Sequence, residues 1–188
     1  MKLELRKKQG EFNKKYKFGD YELYDLSEVR EGQEPIPIVN YRLLYYRRLQ
    51  GQDMYHKAEI EYYNYHFGKE NSPYLRKGLT VKGLIKLKEM ILAKGIPFIY
   101  LSINKDNVAS KGVAKKAGFI DDVVFHPNAL EIMKKILEGL DDKEMAEKEF
   151  AYFKKRFDEY MKKKKKLEAE GRFKNDNKRD DAEEDLQP

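Results

Sequence analysis

The spacing of apolar positions changes several times along the chain, and each change marks an element. Residues 1–20 are polar and lysine-rich with scattered aromatics, and no regular element is predicted before Tyr21. Over 39–48 and 57–67 Tyr, Ile and Leu dominate, and the turn-like LQGQD between the runs predicts an antiparallel hairpin. A polar loop, GKENSPYLRKG, follows. Over 79–94 the period becomes helical: Leu84, Leu87 and Ile91 share a face, Gly95 stands where a left-handed cap belongs, and Pro97 forbids continuation. The run FIYLSI at 98–103 is nearly all apolar, as in a strand buried on both faces, and strand, helix, strand predicts a right-handed crossover. A second helix is expected over 107–117, with Ala109, Val113 and Ala117 as its core stripe and Gly118 at its end, before a final strand at 119–125.

After Pro127 the pattern is purely helical. Leu130, Met133, Ile136 or Leu137, and Leu140 form one stripe, and Ala146, Phe150, Phe153, Phe157 and Tyr160 a second, predicting helices at 129–140 and 143–161. The lysines at 162–166 prolong the second helix into solvent, and from about residue 171 the chain has the polar, charged composition of a disordered tail. The expected organisation is a domain over 1–126, a helical extension over 127–170 and a charged tail over 171–188.

Composition narrows the function. At 188 residues the chain suits one domain with an appendage. The lack of cysteine excludes a disulfide framework, a thiolate zinc site and a cysteine nucleophile, and suits a cytoplasmic location. No apolar run approaches the roughly 18 residues of a membrane span, so a membrane is not an expected partner. His56, His66 and His126 lack metal-ligand spacing and read as strand-end residues, so no metal is expected. The net charge of +6 lies in the front part, since residues 1–126 alone carry +7. Such a domain suits an anionic partner: a phosphorylated cofactor, nucleic acid or an acidic polypeptide. The basic front domain, the lysine run and the tyrosine pairs 45/46 and 62/63 suit nucleic acid, but no recognisable binding motif accompanies them.

Two local patterns carry chemistry. Arg76, Lys77 and Gly78 lie directly before a helix and after a strand, where free backbone N–H groups and the helix dipole converge on an anion. The loop has too few glycines for a dinucleotide fingerprint and lacks the GK[ST] of a P-loop, and it also reads as a basic surface turn. On the second helix Asn107, Ser110 and Ala114 fall on the face opposite the expected core stripe, which points two small polar groups toward a cleft.

The segments AEIEYY at 58–63, LRKGLTVKGL at 75–84 and LSINKDNVASKGVAKKAGF at 101–119 resemble the GNAT superfamily of acyl-CoA-dependent N-acyltransferases, and more narrowly its ribosomal-protein-acetyltransferase-like branch. The resemblance implies an α/β fold: a mixed, mostly antiparallel sheet whose central parallel strands splay apart to admit the pantetheine arm of acyl-CoA. By the family pattern Q/R-x-x-G-x-G/A, the pyrophosphate would meet backbone N–H groups of Leu75, Arg76, Lys77, Gly78, Leu79 and Thr80. This sequence departs at Leu75, which replaces a polar residue, and at Thr80, where Gly or Ala is usual. Asn107 and Ser110 match the CoA-facing positions, although Asn107 equally suits a helix cap.

The implied reaction transfers an acetyl group from acetyl-CoA to an amine of a small molecule or peptide. Glu59 and Glu61 share one strand face with Tyr63 and are the expected bases; they read equally as cross-strand partners of Arg42, Arg47 or Arg48. A strand N–H at Tyr62, Tyr63 or Asn64 would hold the oxyanion. Many relatives carry a Tyr at the position of Ala114 to protonate the leaving thiolate; an alkyl thiol with a pKa of about 8.5 leaves without full protonation. A non-catalytic acyl-CoA-binding or regulatory module and a nucleic-acid-binding protein are the alternatives. Relatives usually place two helices between the first two strands, but DLSEVREGQEPIPI, between Tyr24 and Val39, cannot hold both. The C-terminal helices are therefore expected either to pack back as a lid, with Phe150, Phe153 and Phe157 facing the sheet or cleft, or to form a homodimer interface.

Overall fold

Alternation of buried and exposed side chains builds a four-strand meander: β1 (Lys2–Lys7), β2 (Gly19–Val29), β3 (Ile36–Tyr46) and β4 (Lys57–Asn64). The computed structural model describes residues 1–8, 19–173 and 186–187. In β3 Val39, Tyr41, Leu43 and Tyr45 fall on one face and are at most 2% exposed. The β3–β4 hairpin is the expected one. β1 was not expected, because its apolar signal is only Leu3 and Leu5 among charged residues; pairing with β2, which sets Leu5 opposite Leu26, supplies the burial that makes it a strand. A short turn joins β2 to β3, with no helix between them.

The crossover follows as α1 (Leu79–Ala93) and β5 (Phe98–Leu101), then α2 (Val108–Lys116), β6 (Val123–Phe125), α3 (Ala129–Glu138), α4 (Lys143–Ala169) and the two-residue β7 (Leu186–Gln187). The sheet order is β6-β5-β4-β3-β2-β1-β7. All neighbours are antiparallel except β4 with β5 and β1 with β7, so the sheet is mixed and mostly antiparallel. Most of the charged tail lies outside the described residues; Leu186–Gln187 pairs beside β1. The final strand is shorter than expected because Asp121 and Asp122, at φ 49° and 63°, form a two-residue turn closed by reciprocal bonds between Ile120 and Val123.

Each face of the sheet has its own core. On one, Leu84, Leu87 and Ile91 of α1, all 0% exposed, pack on Tyr41, Leu43, Ile60 and Ile99. α2 joins this core through Ala114 and Ala117, while Ala109 is exposed. The expected stripe of this helix is thus corrected by a rotation: Ser110 and Ala114 lie on the inward side, because small residues let the helix dock closely, and alanine is too weakly apolar to set the face from sequence. On the opposite face, Phe98 and Phe125 meet Met133 and Leu137 of α3 and Phe153 and Tyr160 of α4. The Phe125 ring centre lies 5.1 Å from Phe98, 5.4 Å from Phe153, 5.6 Å from Phe157 and 5.0 Å from Tyr160. Such pairs add about 0.5–1.5 kcal/mol each beyond area burial. The C-terminal helices therefore pack on the sheet within the same chain, with Phe153 and Phe157 toward it and Phe150 beside Leu137 and Ala146 between α3 and α4.

Gly83 sets the distance of α1 from the sheet: a Cβ there would lie 2.3 Å from the Tyr41 hydroxyl and 2.7 Å from its Cζ. A Gly→Ala change inside a helix ordinarily stabilises by about 1 kcal/mol. Here Gly83→Ala is expected to cost about 1–3 kcal/mol by overpacking, read as a lower urea midpoint at unchanged slope. A raised midpoint would contradict this contact.

Candidate active site

β4 and β5 stay paired for only three residues, Ala58↔Ile99, Glu59↔Tyr100 and Ile60↔Leu101, and the Ser102 N–H closes the pairing on the Ile60 carbonyl at 3.2 Å. Beyond this point β4 continues to Asn64 with β3 as its strand partner, while the chain after β5 turns away to α2. Backbone groups alternate sides along a strand. Tyr65 N–H bonds the Ile38 carbonyl at 3.0 Å, so odd-numbered residues here face β3. Tyr62 and Asn64 thus turn their N–H groups to the opening, and Tyr63 does not. The Tyr63 side chain is 62% exposed on the other face.

Two helix N-termini meet this opening. Gly78, at φ 69°, precedes α1 in the left-handed region; no side chain caps the helix, and its first turn has no acidic residue. Leu79 is buried, the Thr80 carbonyl accepts from the Tyr41 hydroxyl at 2.8 Å, and the Thr80 Oγ1 accepts from Asn64 Nδ2 at 3.4 Å. Leu75 is partly buried, whereas Arg76, Lys77 and Gly78 are exposed and surround the helix end with positive charge. At α2 the Asn107 Oδ1 accepts from the Ser110 N–H at 2.9 Å, which is the capping role. The Ser110 carbonyl accepts from the Tyr62 hydroxyl at 3.3 Å. The fold therefore brings the 75–80 loop, Tyr62, Asn64, Asn107 and Ser110 around one opening.

Glu59 and Glu61 lie on the opposite face of the sheet, and their partners differ. Glu61 pairs with Arg42 at 3.2 Å, one of the cross-strand pairings the sequence allows. Glu59 instead accepts from the hydroxyls of Tyr46 and Tyr100, each at 2.6 Å and both on Oε2, which leaves Oε1 for a further donor. Burial first, and the bond to Glu59 second, push both phenols above their ordinary range, so they stay protonated donors. Lys57 Nζ sits 4.7 Å from the Tyr46 ring centre and 5.6 Å from that of Tyr100. Arg47 pairs with Asp20 and Arg48 with Glu149. Sequence reasoning missed Tyr46 and Tyr100. The two-residue alternation of β3 puts Tyr46 on the Glu59 face and was a usable signal, whereas Tyr100 depends on the parallel register, which no local pattern reveals.

Beside this cluster, at the starts of β4 and β5, a cavity of about 370 Å³ opens between the sheet and α3 and α4. His56, beside the start of β4 as expected, lines it. Its Nδ1 is buried without a hydrogen-bond partner, and burial, with Lys57 and Arg48 adding to it, lowers its pKa to about 4. Among the described residues no cluster of His, Cys, Asp and Glu is arranged to hold a metal ion, and no helix is long and apolar enough to cross a membrane.

No protein-family model matches the chain, and no curated protein matches it. Among solved structures, the chain is similar to aminoglycoside acetyltransferase AAC(6')-Ib in complex with coenzyme A and kanamycin, at 20% identity over 59% of this chain and 69% of that one, with a TM-score of 0.41. It is also similar to a cAMP-binding acyltransferase from Mycobacterium smegmatis, at 14% identity over 68% of this chain and 35% of that one, with a TM-score of 0.38.

The buried imidazole makes stability depend on pH. Because the folded pKa of about 4 lies below the ordinary histidine value of 6.5, the unfolded chain binds the proton more readily between these values. Stability from this group is complete above pH 6.5 and falls as pH drops toward 4, by up to about 3 kcal/mol. His56→Gln is expected to flatten that part of the profile in urea unfolding at pH 4 to 7; an unchanged slope would contradict the neutral, buried imidazole.

Proposed function

We propose that this chain is an acyl-CoA-dependent N-acyltransferase of the GNAT type, which transfers an acetyl group from acetyl-CoA to an amine of a small molecule or peptide. The observation that carries this reading is the parting of the parallel pair β4 and β5 after Ile60, where strand N–H groups and two helix N-termini converge. An extended thioester arm suits such an opening, since Tyr62 and Asn64 offer it a strand edge and Asn107 and Ser110 line the far side. The uncapped start of α1, with Arg76 and Lys77 beside it, suits its diphosphate; Leu75 takes no part, because its N–H donates to the Ser72 carbonyl at 3.3 Å. In this reading residues 1–126 form the transferase unit, 127–170 extend it, and the compartment is the cytoplasm.

The chemistry divides between the two faces of the sheet, which the opening connects. Acetyl-CoA supplies an activated acyl group as a thioester. The Tyr62 N–H donates to the carbonyl oxygen as negative charge develops on it. Oε1 of Glu59, whose other oxygen is held by two phenols, takes the proton from the attacking amine, directly or through a water. The nitrogen lone pair forms the new bond to the acyl carbon, and the carbon–sulfur bond breaks with its electron pair on sulfur. Ala114 offers no acid, so the sulfur leaves largely as thiolate. Glu61 is a weaker candidate base because it is tied to Arg42.

Calorimetric titration with acetyl-CoA, followed by release of free CoA against a panel of amines, tests the reading. Acetyl-CoA is expected to bind, and Glu59→Gln to lower kcat by about 100-fold or more with little change in acetyl-CoA affinity. Glu61→Gln should have the smaller effect. Binding without turnover of any amine would favour the non-catalytic module, and lack of binding would overturn the proposal.

A further inference from the structure

We infer that the acceptor is a free α-amino acid with an aromatic or large aliphatic side chain, which enters the cavity between the sheet and the C-terminal helices while Lys57 meets its carboxylate. The inference rests on the acyl-transfer reading above and assigns the substrate class of that same site.

The parallel register fixes the order of side chains along the two strands. Ala58 pairs with Ile99 and Glu59 with Tyr100, so Lys57 lies beside Phe98 one step earlier on the Glu59 face. The sequence of steps is therefore Lys57 with Phe98 at the cavity, Glu59 with Tyr100 next, and the opening immediately beyond Ile60. Along β4, Lys57 and Glu59 are two residues and about 7 Å apart, and both contact the rings or hydroxyls of Tyr46 and Tyr100. A cation and a carboxylate at that spacing suit the two charged ends of a zwitterion, with its nitrogen on the side of the opening.

The cavity supplies the third contact. Its volume of about 370 Å³ is at the lower end of the range for small-molecule sites, about 300–1,000 Å³. Phe98, Met133 and Phe153 form its buried wall, and Met145 and Tyr152, 40% and 65% exposed, stand at its mouth. Its charged groups leave a positive excess. Glu149 pairs with Arg48 and Lys148 with Glu144, whereas Lys57 and Arg156 are held over aromatic rings, Arg156 at 4.9 Å from Phe98 and 5.9 Å from Tyr152. An apolar side chain with a nearby carboxylate is favoured there, and a polycationic amine is not. In the reaction, the α-ammonium first gives one proton to solvent; the neutral nitrogen then forms the bond to the acyl carbon, the thioester carbon–sulfur bond breaks with its pair on sulfur, and the second amine proton passes to Glu59. The products are an N-acetyl amino acid and CoA.

The test compares L-phenylalanine with L-phenylalaninamide, phenethylamine and spermidine as acceptors, by release of CoA from acetyl-CoA. L-Phenylalanine is expected to exceed each of the others by about 10-fold or more in kcat/KM, the effect of a charge-assisted hydrogen bond. Lys57→Gln should bring its ratio to the amide near one, while Lys165→Gln, on the exposed side of α4, should leave that ratio unchanged. Equal or better use of the amide or of spermidine overturns the inference. If no amine is acetylated, the transfer reading fails separately, and calorimetry of N-acetyl-L-phenylalanine without acyl donor decides the pocket. Binding that falls about 10-fold with the amide form or with Lys57→Gln supports it, and absence of binding overturns it.

Discussion

A phenol with no exposure to water must find an acceptor inside the protein, and Tyr41 finds one in the carbonyl of Thr80 at 2.8 Å. This bond fixes the first turn of α1 against the middle of the sheet, and it is reachable only because Gly83 lets the helix come close. Tyr62, directly opposite Tyr41 in the β3–β4 register, does the same for α2 through the Ser110 carbonyl. Two neighbouring tyrosines thus hold two helix N-termini at one end of the sheet, and the opening between β4 and β5 lies between them.

The two faces of the sheet are finished differently. α1 and α2 cover one face with an aliphatic core, whereas the other is covered by α3 and α4 at β5 and β6 through aromatic rings centred on Phe125. The short β2–β3 turn brings no helix to the rest of that second face, where Tyr21, Arg42 and Glu61 form a polar chain across three strands. Glu59 stands at the boundary between this wet region and the aromatic one. That position explains how one carboxylate can be held by two partly buried phenols and still keep an oxygen for a ligand.

Much of the fold was legible because its signals were strong. α1 has an unbroken apolar stripe, and Gly95, at φ 73°, and Pro97 mark its end. The stripes of α3 and α4 likewise identified the side that packs, although not the surface it packs on. β1 was hidden because its burial comes from β2 rather than from its own composition. The face of α2 was misread because an alanine-rich helix carries little apolar contrast, and its docking is decided by how closely it can approach. At the site, Arg76, Lys77 and Gly78 and the pair Asn107 and Ser110 stood out as local patterns, and the resemblance widened the first to 75–80; in the fold Asn107 caps α2 through the Ser110 N–H. The hydrogen bonds to Glu59 were not foreseeable, because they depend on a parallel pairing between segments about 40 residues apart.

That pairing also has a kinetic side. β1 to β4 are sequence neighbours joined in antiparallel order, so each ladder closes a short loop, whereas β4 meets β5 only after α1 has formed and docked. Closing the longer loop costs more chain entropy and is rewarded by only three register pairs, which places this junction among the late events of folding. A chain stopped before that event would be a finished meander without a cleft.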